Sequence, residues 1–202
     1  MKNYFFLLFI VGAATLKAQT ADPRQNAFAE SYRLEQAQDF AAAIKPLTAV
    51  YDATSYEINV RLGWLNYNAG EYPQALKYYK TAMRLMPYSV EAKLGYALPL
   101  AAMGNWNEVV DVYHKILATD PQNAVANYRL GAIYYARAAY ETAKSHTEKV
   151  VNLYPFAYDS VILLAWINLQ MKDYRKAKVL FNKSLLIRPG NQSALEGLEL
   201  IQ

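Results

Sequence analysis

The side chains that could perform chemistry are few, and their spacing fits no catalytic motif. The chain of 202 residues contains two histidines, His114 and His146, and no cysteine. With no cysteine and no close histidine pair, we expect no zinc site. Serine and aspartate occur without the motif context of a hydrolase, and the eight glycines form no phosphate-binding loop. The sequence therefore predicts a protein that is not an enzyme and that binds neither a metal nor a cofactor.

Composition and charge favour a folded domain without a strongly anionic partner. Hydrophobic residues make up 54% of the chain, which is ample for a core. The chain has 21 basic and 17 acidic residues, and Lys2 and Lys17 lie in a leader that we expect to be removed. Because the remaining charge is nearly balanced, nucleic acid is disfavoured as a partner.

The first 18 residues have the pattern of a secretory signal peptide. Lys2 supplies the positive charge, an apolar stretch runs from Tyr4 to Ala14, and Ala18 precedes the expected cleavage site. The alternative is an uncleaved membrane anchor, but the apolar stretch is shorter than the roughly 20 residues that a spanning helix needs. We therefore expect an exported protein, periplasmic or secreted, whose mature chain begins near Gln19 and has no transmembrane helix.

Two series of residues reveal an internal repeat. Four prolines recur at intervals of 34 residues, at Pro87, Pro121, Pro155 and Pro189. An aromatic series has the same interval after a first step of 32, at Phe40, Tyr72, Trp106, Tyr140 and Tyr174. Small residues pair at a distance of 12, as in Gly63 with Ala75, Ala97 with Val109, Gly131 with Ala143, and Ala165 with Ala177. Such pairs let two helices approach closely, and each proline then ends a unit.

These residues resemble the tetratricopeptide repeat family, whose 34-residue unit is a pair of antiparallel helices. The second unit carries the resemblance most fully, with Leu62, Gly63, Tyr67, Gly70, Tyr72, Ala75, Ala82 and Pro87. It implies an all-α fold, a right-handed α-solenoid of about five helix pairs with a C-terminal capping helix. The single domain would span 19–202, with repeats near 24–55, 56–89, 90–123, 124–157 and 158–191 and the capping helix over 192–202.

Two units depart from the repeat pattern. In the first unit, Ser31 and Gln38 replace the usual glycines, and Pro46 falls inside a second helix that we predict over 40–53. In the third unit, Pro99 falls inside the first helix and is expected to bend it. This bend could widen the binding surface locally or could be a tolerated kink.

The resemblance also implies a concave surface, lined by the first helix of each unit, that holds a peptide or a helix of a partner. Eight positions are predicted to form this binding groove: Phe28, Tyr32, Trp64, Tyr67, Leu98, Tyr128, Tyr135 and Trp166. Val60, Leu94 and Ile162 also face inward on this prediction. Tyrosine and tryptophan suit recognition because they bury a large area with few rotors. The alternative is that several of these side chains pack between adjacent units.

The predicted function is that of an interaction scaffold or adaptor of the cell envelope, with a protein or peptide partner and peripheral association with an envelope complex. A glycan or peptidoglycan fragment, stacked on the same aromatic side chains, is the alternative ligand. The chaperone-binding subfamily grips a terminal carboxylate with lysine and asparagine, but Phe28, Tyr32, Val60 and Trp64 occupy those positions. The final unit is basic, with Lys172, Arg175, Lys176, Lys178, Lys183 and Arg188, and is expected to be a solvated convex face. Contact of helix 174–187 with an anionic membrane or an acidic protein is the alternative.

Overall fold

The computed structural model describes residues 22–201, which contain eleven α-helices and no strand. The helices are α1 (Pro23–Gln36), α2 (Phe40–Ala49), α3 (Tyr56–Asn68), α4 (Tyr72–Leu85), α5 (Val90–Ala102), α6 (Trp106–Thr119), α7 (Ala124–Ala136), α8 (Tyr140–Leu153), α9 (Tyr158–Gln170), α10 (Tyr174–Ile187) and α11 (Gln192–Glu199). The predicted signal peptide, residues 1–18, lies outside the described residues. Each helix in the described range is too short or too polar to cross a membrane.

Three of the four helices that follow a repeating proline begin at a polar side chain two positions after it. Ser89, Asn123 and Asn191 each accept a hydrogen bond from the backbone N–H three residues further on. This contact satisfies one of the free donors at a helix start. Ala157 occupies the same place before α9 and makes no such bond. The proline that ends one unit and the capping residue that opens the next are therefore parts of one turn.

The first helix of every unit ends in a turn with a left-handed residue. The five residues with positive φ at these turns are Gln38, Gly70, Gly104, Ala138 and Lys172. At Ala138 the N–H donates to the carbonyl of Tyr135, and the next N–H donates to the carbonyl of Tyr134. This pair of bonds is the Schellman motif, which favours glycine at the left-handed position. Three of the five turns therefore hold a side chain in a conformation that costs free energy.

Exchanging alanine and glycine at two of these turns should change stability in opposite directions. Ala138→Gly is expected to raise the free energy of unfolding by about 1 kcal/mol, because it relieves the left-handed strain. Gly104→Ala is expected to lower the free energy of unfolding by about 1 kcal/mol. An added Cβ there meets no neighbour, so the cost comes only from the left-handed backbone conformation. Urea denaturation of both variants measures the changes, and changes of the same sign would contradict this account.

Consecutive helices pack against each other, and the first helices also contact across units. Contacts between next-but-one helices join α3 to α5, α7 to α9, and α9 to α11. The small residues that follow the aromatic series, Ala43, Ala75, Ala143 and Ala177, are fully buried. First helices that contact one another line one wall of the stack, as the sequence predicts for a solenoid.

Two details differ from the sequence predictions. Helix α2 ends at Ala49 instead of residue 53, because residues 52–55 form a turn in which Asp52 accepts two hydrogen bonds from Thr54. The capping helix α11 ends at Glu199 instead of residue 202. At Gly63 the ring of Tyr79 fills the space that an added Cβ would occupy, with ring carbons 2.9 Å from that position. Pro99, in contrast, is accommodated within a continuous α5.

Candidate interaction groove

Side chains from α1, α3 and α5 enclose a cavity of about 540 Å³, which we call the N-terminal cavity. Its apolar wall comes from the first helices and consists of Phe28, Tyr32, Val60, Trp64, Leu94 and Leu98. Tyr79 and Tyr113, from the second helices α4 and α6, also line it. Tyr32 is 50% exposed and Trp64 is 37% exposed, so both present large apolar surfaces to solvent. Exposed aromatic side chains around a cavity are typical of recognition surfaces.

A second cavity, which we call the central cavity, has a volume of about 590 Å³. Tyr67 and the exposed Trp106 line it, and its remaining wall is rich in alanine, at Ala97, Ala101, Ala102, Ala132 and Ala136. Leu98, Tyr113 and Arg129 line both this cavity and the N-terminal cavity. The two cavities therefore adjoin, and together they form what we call the groove, which runs from α1 to α7.

A third cavity of about 740 Å³, the loop-side cavity, lies beside the turn between α8 and α9. Tyr128, Leu153, Tyr154, Phe156 and Tyr158 line it. It shares Val125 and Arg129 with the N-terminal cavity, so it meets the groove at one side of α7.

Six of the eight predicted groove residues line at least one of the three cavities. Phe28, Tyr32, Trp64 and Leu98 line the N-terminal cavity, Tyr67 and Leu98 line the central cavity, and Tyr128 lines the loop-side cavity. Tyr135 packs on Tyr140, with ring centroids 5.8 Å apart. Trp166 packs edge-on against Phe181 and donates a hydrogen bond to Ser193 of α11. Neither residue is among the lining of the three cavities, and their place in the binding groove stays a prediction.

An ion pair between Arg61 and Glu35 fixes one wall of the N-terminal cavity. Arg61 is only 7% exposed, and its Nη1 lies 2.6 Å from Glu35 Oε2. Its guanidinium carbon lies 3.9 Å from the centre of the Tyr32 ring, and Trp64 Nε1 donates to the other oxygen of Glu35. One carboxylate thus holds both a buried cation and the exposed indole. The two aromatic side chains are pre-oriented, which lowers the entropic cost of binding.

Several tyrosines of the groove keep a neutral hydroxyl near pH 7. Burial raises the pKa of Tyr79, Tyr113 and Tyr56 above the ordinary value. A neutral phenol can donate a hydrogen bond but is a poor base or nucleophile. These side chains are therefore suited to recognition.

The groove residues that sequence reasoning missed are the charged and second-helix ones, Arg61, Arg129, Tyr79 and Tyr113. A search for inward-facing aromatic positions on the first helices excludes arginine and excludes α4 and α6. The sequence does contain an indication of Tyr79, because the two glycines inside first helices, Gly63 and Gly95, each leave room for its ring. Glycine in the interior of a helix is unfavourable and usually has a packing reason.

The two histidines lie close together in space, so the expectation of no close histidine pair is wrong. Their ring centroids are 6.0 Å apart, and Tyr134 stacks on His146. The amide nitrogen of Asn127 donates to the carbonyls of Pro121 and Asn123, so its oxygen must accept from His146 Nδ1. Within residues 22–201, no group of three or more His, Cys, Asp or Glu side chains is placed to hold a metal ion.

His146 should make stability depend on pH. Burial lowers the pKa of His146, and the nearby charges of Lys149 and His114 lower it further. Below the unfolded-state pKa of about 6.5, the unfolded chain binds a proton that the folded chain binds less readily, so the free energy of unfolding should fall as pH drops. Urea midpoints at pH values of about 7.5 and 5.5 should differ more for the wild type than for His146→Gln. Equal differences would exclude this histidine as the cause.

The fold and the groove define a class of protein, the α-solenoid of helical repeats, here with five helix pairs and a capping helix in the described part. Three sequence profiles described as tetratricopeptide repeat match residues 56–89, 125–157 and 158–191, which together make up half of the chain. The chain belongs to the tetratricopeptide repeat family. The resemblance noted in the sequence and the predicted all-α solenoid are confirmed.

Solved structures of other proteins share this fold at low sequence identity. MamA from Desulfovibrio magneticus RS-1, residues 41 to the end, is 21% identical, and the match covers 85% of this chain and 98% of that one with a TM-score of 0.72. A tetratricopeptide repeat protein from Parabacteroides merdae is 18% identical, with coverage of 88% and 72% and a TM-score of 0.76. YrrB, described as having an unusual peptide-binding site, is 13% identical, with coverage of 86% and 90% and a TM-score of 0.68.

One curated human protein is more similar in sequence over a shorter range. The protein O-mannosyl-transferase TMTC1 of Homo sapiens is 32% identical over 107 residues, or 53% of this chain. The match spans only 12% of the length of the human protein.

Proposed function

We propose that this protein is an interaction scaffold or adaptor that holds a segment of a partner protein in the groove. The carrying observation is the exposure of Tyr32 and Trp64 beside two adjoining cavities that extend over four repeats. Large aromatic side chains exposed together beside a concave surface mark binding sites more often than solvated faces. The similarity to YrrB, which has a peptide-binding site, favours the same kind of ligand.

The proposed setting is a complex of the cell envelope, with the mature protein exported and peripherally associated. This part of the proposal depends on the leader pattern of residues 1–18, with its charged start and short apolar stretch. Fractionation of the producing cells, with N-terminal sequencing of the mature protein, tests it. Recovery in the cytoplasm with Met1 retained would exclude export.

Binding by the groove can be tested with two matched double variants. Trp64→Ala with Leu98→Ala removes apolar side chains from the groove, whereas Val179→Ala with Leu186→Ala removes apolar side chains that are 64% and 79% exposed on α10. In pull-downs from envelope extracts, the groove variant is expected to retain at least about tenfold less partner, and the α10 variant should match the wild type. Thermal unfolding of both variants checks that the fold is intact.

The result that would contradict the proposal is an unchanged set of partners for the groove variant, or an equal loss for the α10 variant. Calorimetry against peptidoglycan fragments addresses the other ligand class. Heat of binding that disappears in the groove variant, without any protein partner, would assign the groove to a glycan instead.

A further inference from the structure

Arg129 is the cation common to all three cavities. It lies on α7 and lines the N-terminal, central and loop-side cavities. Its guanidinium lies 5.9 Å from the ring of Tyr128, and none of the ion pairs within the described part of the chain involves it. Arg61, on the opposite wall, differs because Glu35 neutralises it. Arg129 therefore offers its charge and its fork of donors to a ligand.

The acidic side chains that line the groove lie in its N-terminal cavity, whereas the charged side chains that line its central cavity are all basic. Glu57 and Glu91 line the N-terminal cavity, where they accept hydrogen bonds from Ser55 and Tyr56. Arg129 and Arg137 line the central cavity, and no acidic side chain accompanies them in that lining. The central cavity thus combines an apolar wall with two guanidinium groups and attracts negative charge.

We propose that the segment bound in the groove is apolar and carries two side-chain carboxylates, which pair with Arg129 and Arg137. This inference rests on the proposed function, since it specifies the chemistry of the segment that the same groove holds. Arginine and carboxylate groups form strong charge-assisted pairs, often with two hydrogen bonds. Glu57 and Glu91 would repel the same carboxylates, so the acidic part of the segment lies over α7 and its uncharged apolar part lies over α3.

The geometry of α7 sets the spacing of the two carboxylates. Arg129 lies in α7 and Arg137, eight positions later, caps the C-terminal end of that helix, which separates their backbones by about 12 Å. An extended chain covers about 12 Å in roughly four residues. The small side chains of Ala132 and Ala136 lie between the two arginines and line the central cavity. The expected motif is therefore an acidic residue, three residues that include a large apolar side chain, and a second acidic residue.

Selection from a random library of displayed 12-residue peptides tests this motif with the mature protein. Three proteins are used in parallel. They are the wild type, the double variant Arg129→Gln with Arg137→Gln, and the control variant Arg175→Gln, at an exposed position of α10. The wild type and the control are expected to enrich peptides with two acidic residues four positions apart around an apolar residue. The double variant should lose that enrichment and still select apolar peptides. For a selected peptide, fluorescence anisotropy should show about tenfold weaker binding by Arg129→Gln alone.

The outcomes separate this inference from the proposed function. Enrichment of apolar peptides without excess acidic residues, or the same acidic motif selected by the double variant, would overturn the inference and leave the proposed function intact. Acidic enrichment confined to a terminal carboxylate would overturn the two-carboxylate motif. If no peptide is enriched, or if Trp64→Ala with Leu98→Ala selects the same peptides as the wild type, both proposals fail.

Discussion

Glu35→Gln is expected to lower the free energy of unfolding by about 2 to 3 kcal/mol, although the substitution keeps the shape of the side chain. Arg61 is nearly buried, and Glu35 is its only carboxylate partner in the described structure. Without that charge, the guanidinium keeps a 3.3 Å contact to the hydroxyl of Ser31 and its place over Tyr32. Removing one partner of a buried pair costs about 3 to 5 kcal/mol, and water in the adjoining cavity should reduce this cost.

The matched control for this prediction is Glu30→Gln. Glu30 pairs with Arg33 at 2.6 Å, but both side chains are well exposed, so the loss of this pair should change stability far less. Urea denaturation measures both variants. A further variant, Glu35→Leu with Arg61→Leu, should recover much of the lost stability because no charge is left buried alone. Equal effects of Glu35→Gln and Glu30→Gln would show that the burial of Arg61 is not important for stability.

Gly95→Ala is expected to destabilise the protein by about 2 kcal/mol, against the usual preference of helices for alanine. A Cβ at Gly95 would lie within 3.0 Å of three ring carbons of Tyr79. That ring is 2% exposed, and a Cβ added at Gly63 would also lie 2.9 Å from it, so the ring is confined between the two glycines. Overpacking of this kind displaces side chains and backbone from their preferred geometry.

The sign of this effect should reverse when the ring is removed. In a Tyr79→Leu background, Gly95→Ala is expected to stabilise by about 0.5 kcal/mol, because only the helix preference remains. A double-mutant cycle from urea denaturation measures the coupling between the two positions. A cost that is the same in both backgrounds would show that Tyr79 is not the group with which the added methyl collides.

The sequence was sufficient to predict the fold because one spacing controls several features at once. Pro121, for example, ends one unit, and Asn123 caps the next helix two positions later. The left-handed turns follow the same 34-residue interval even at Ala138 and Lys172, where the usual glycine is absent. Repeated backbone geometry tolerates such substitutions because the packing of each unit on its neighbours outweighs a local cost of about 1 kcal/mol.

The groove was predictable only in part, because the sequence pattern fixes which face of a helix points inward but not what covers that face. Tyr32 and Trp64 face a cavity, whereas Trp166, at a corresponding position, is partly covered by Phe181 and α11. The contact between Arg61 and Glu35 joins α3 to α1, at a separation in sequence that no short motif records. End effects and pairings between units therefore need the three-dimensional arrangement.

Site-specific photo-crosslinking in the cells that produce the protein tests the binding role of the groove most directly. A photoreactive phenylalanine analogue at Val60 would lie in the N-terminal cavity, and the same analogue at Val179 would lie on the outer face of α10. We predict crosslinks from position 60 to one segment of a partner protein, identified by mass spectrometry, and no comparable product from position 179. Crosslinks from position 179 alone, or the same products from both positions, would contradict the assignment of the groove as the binding surface.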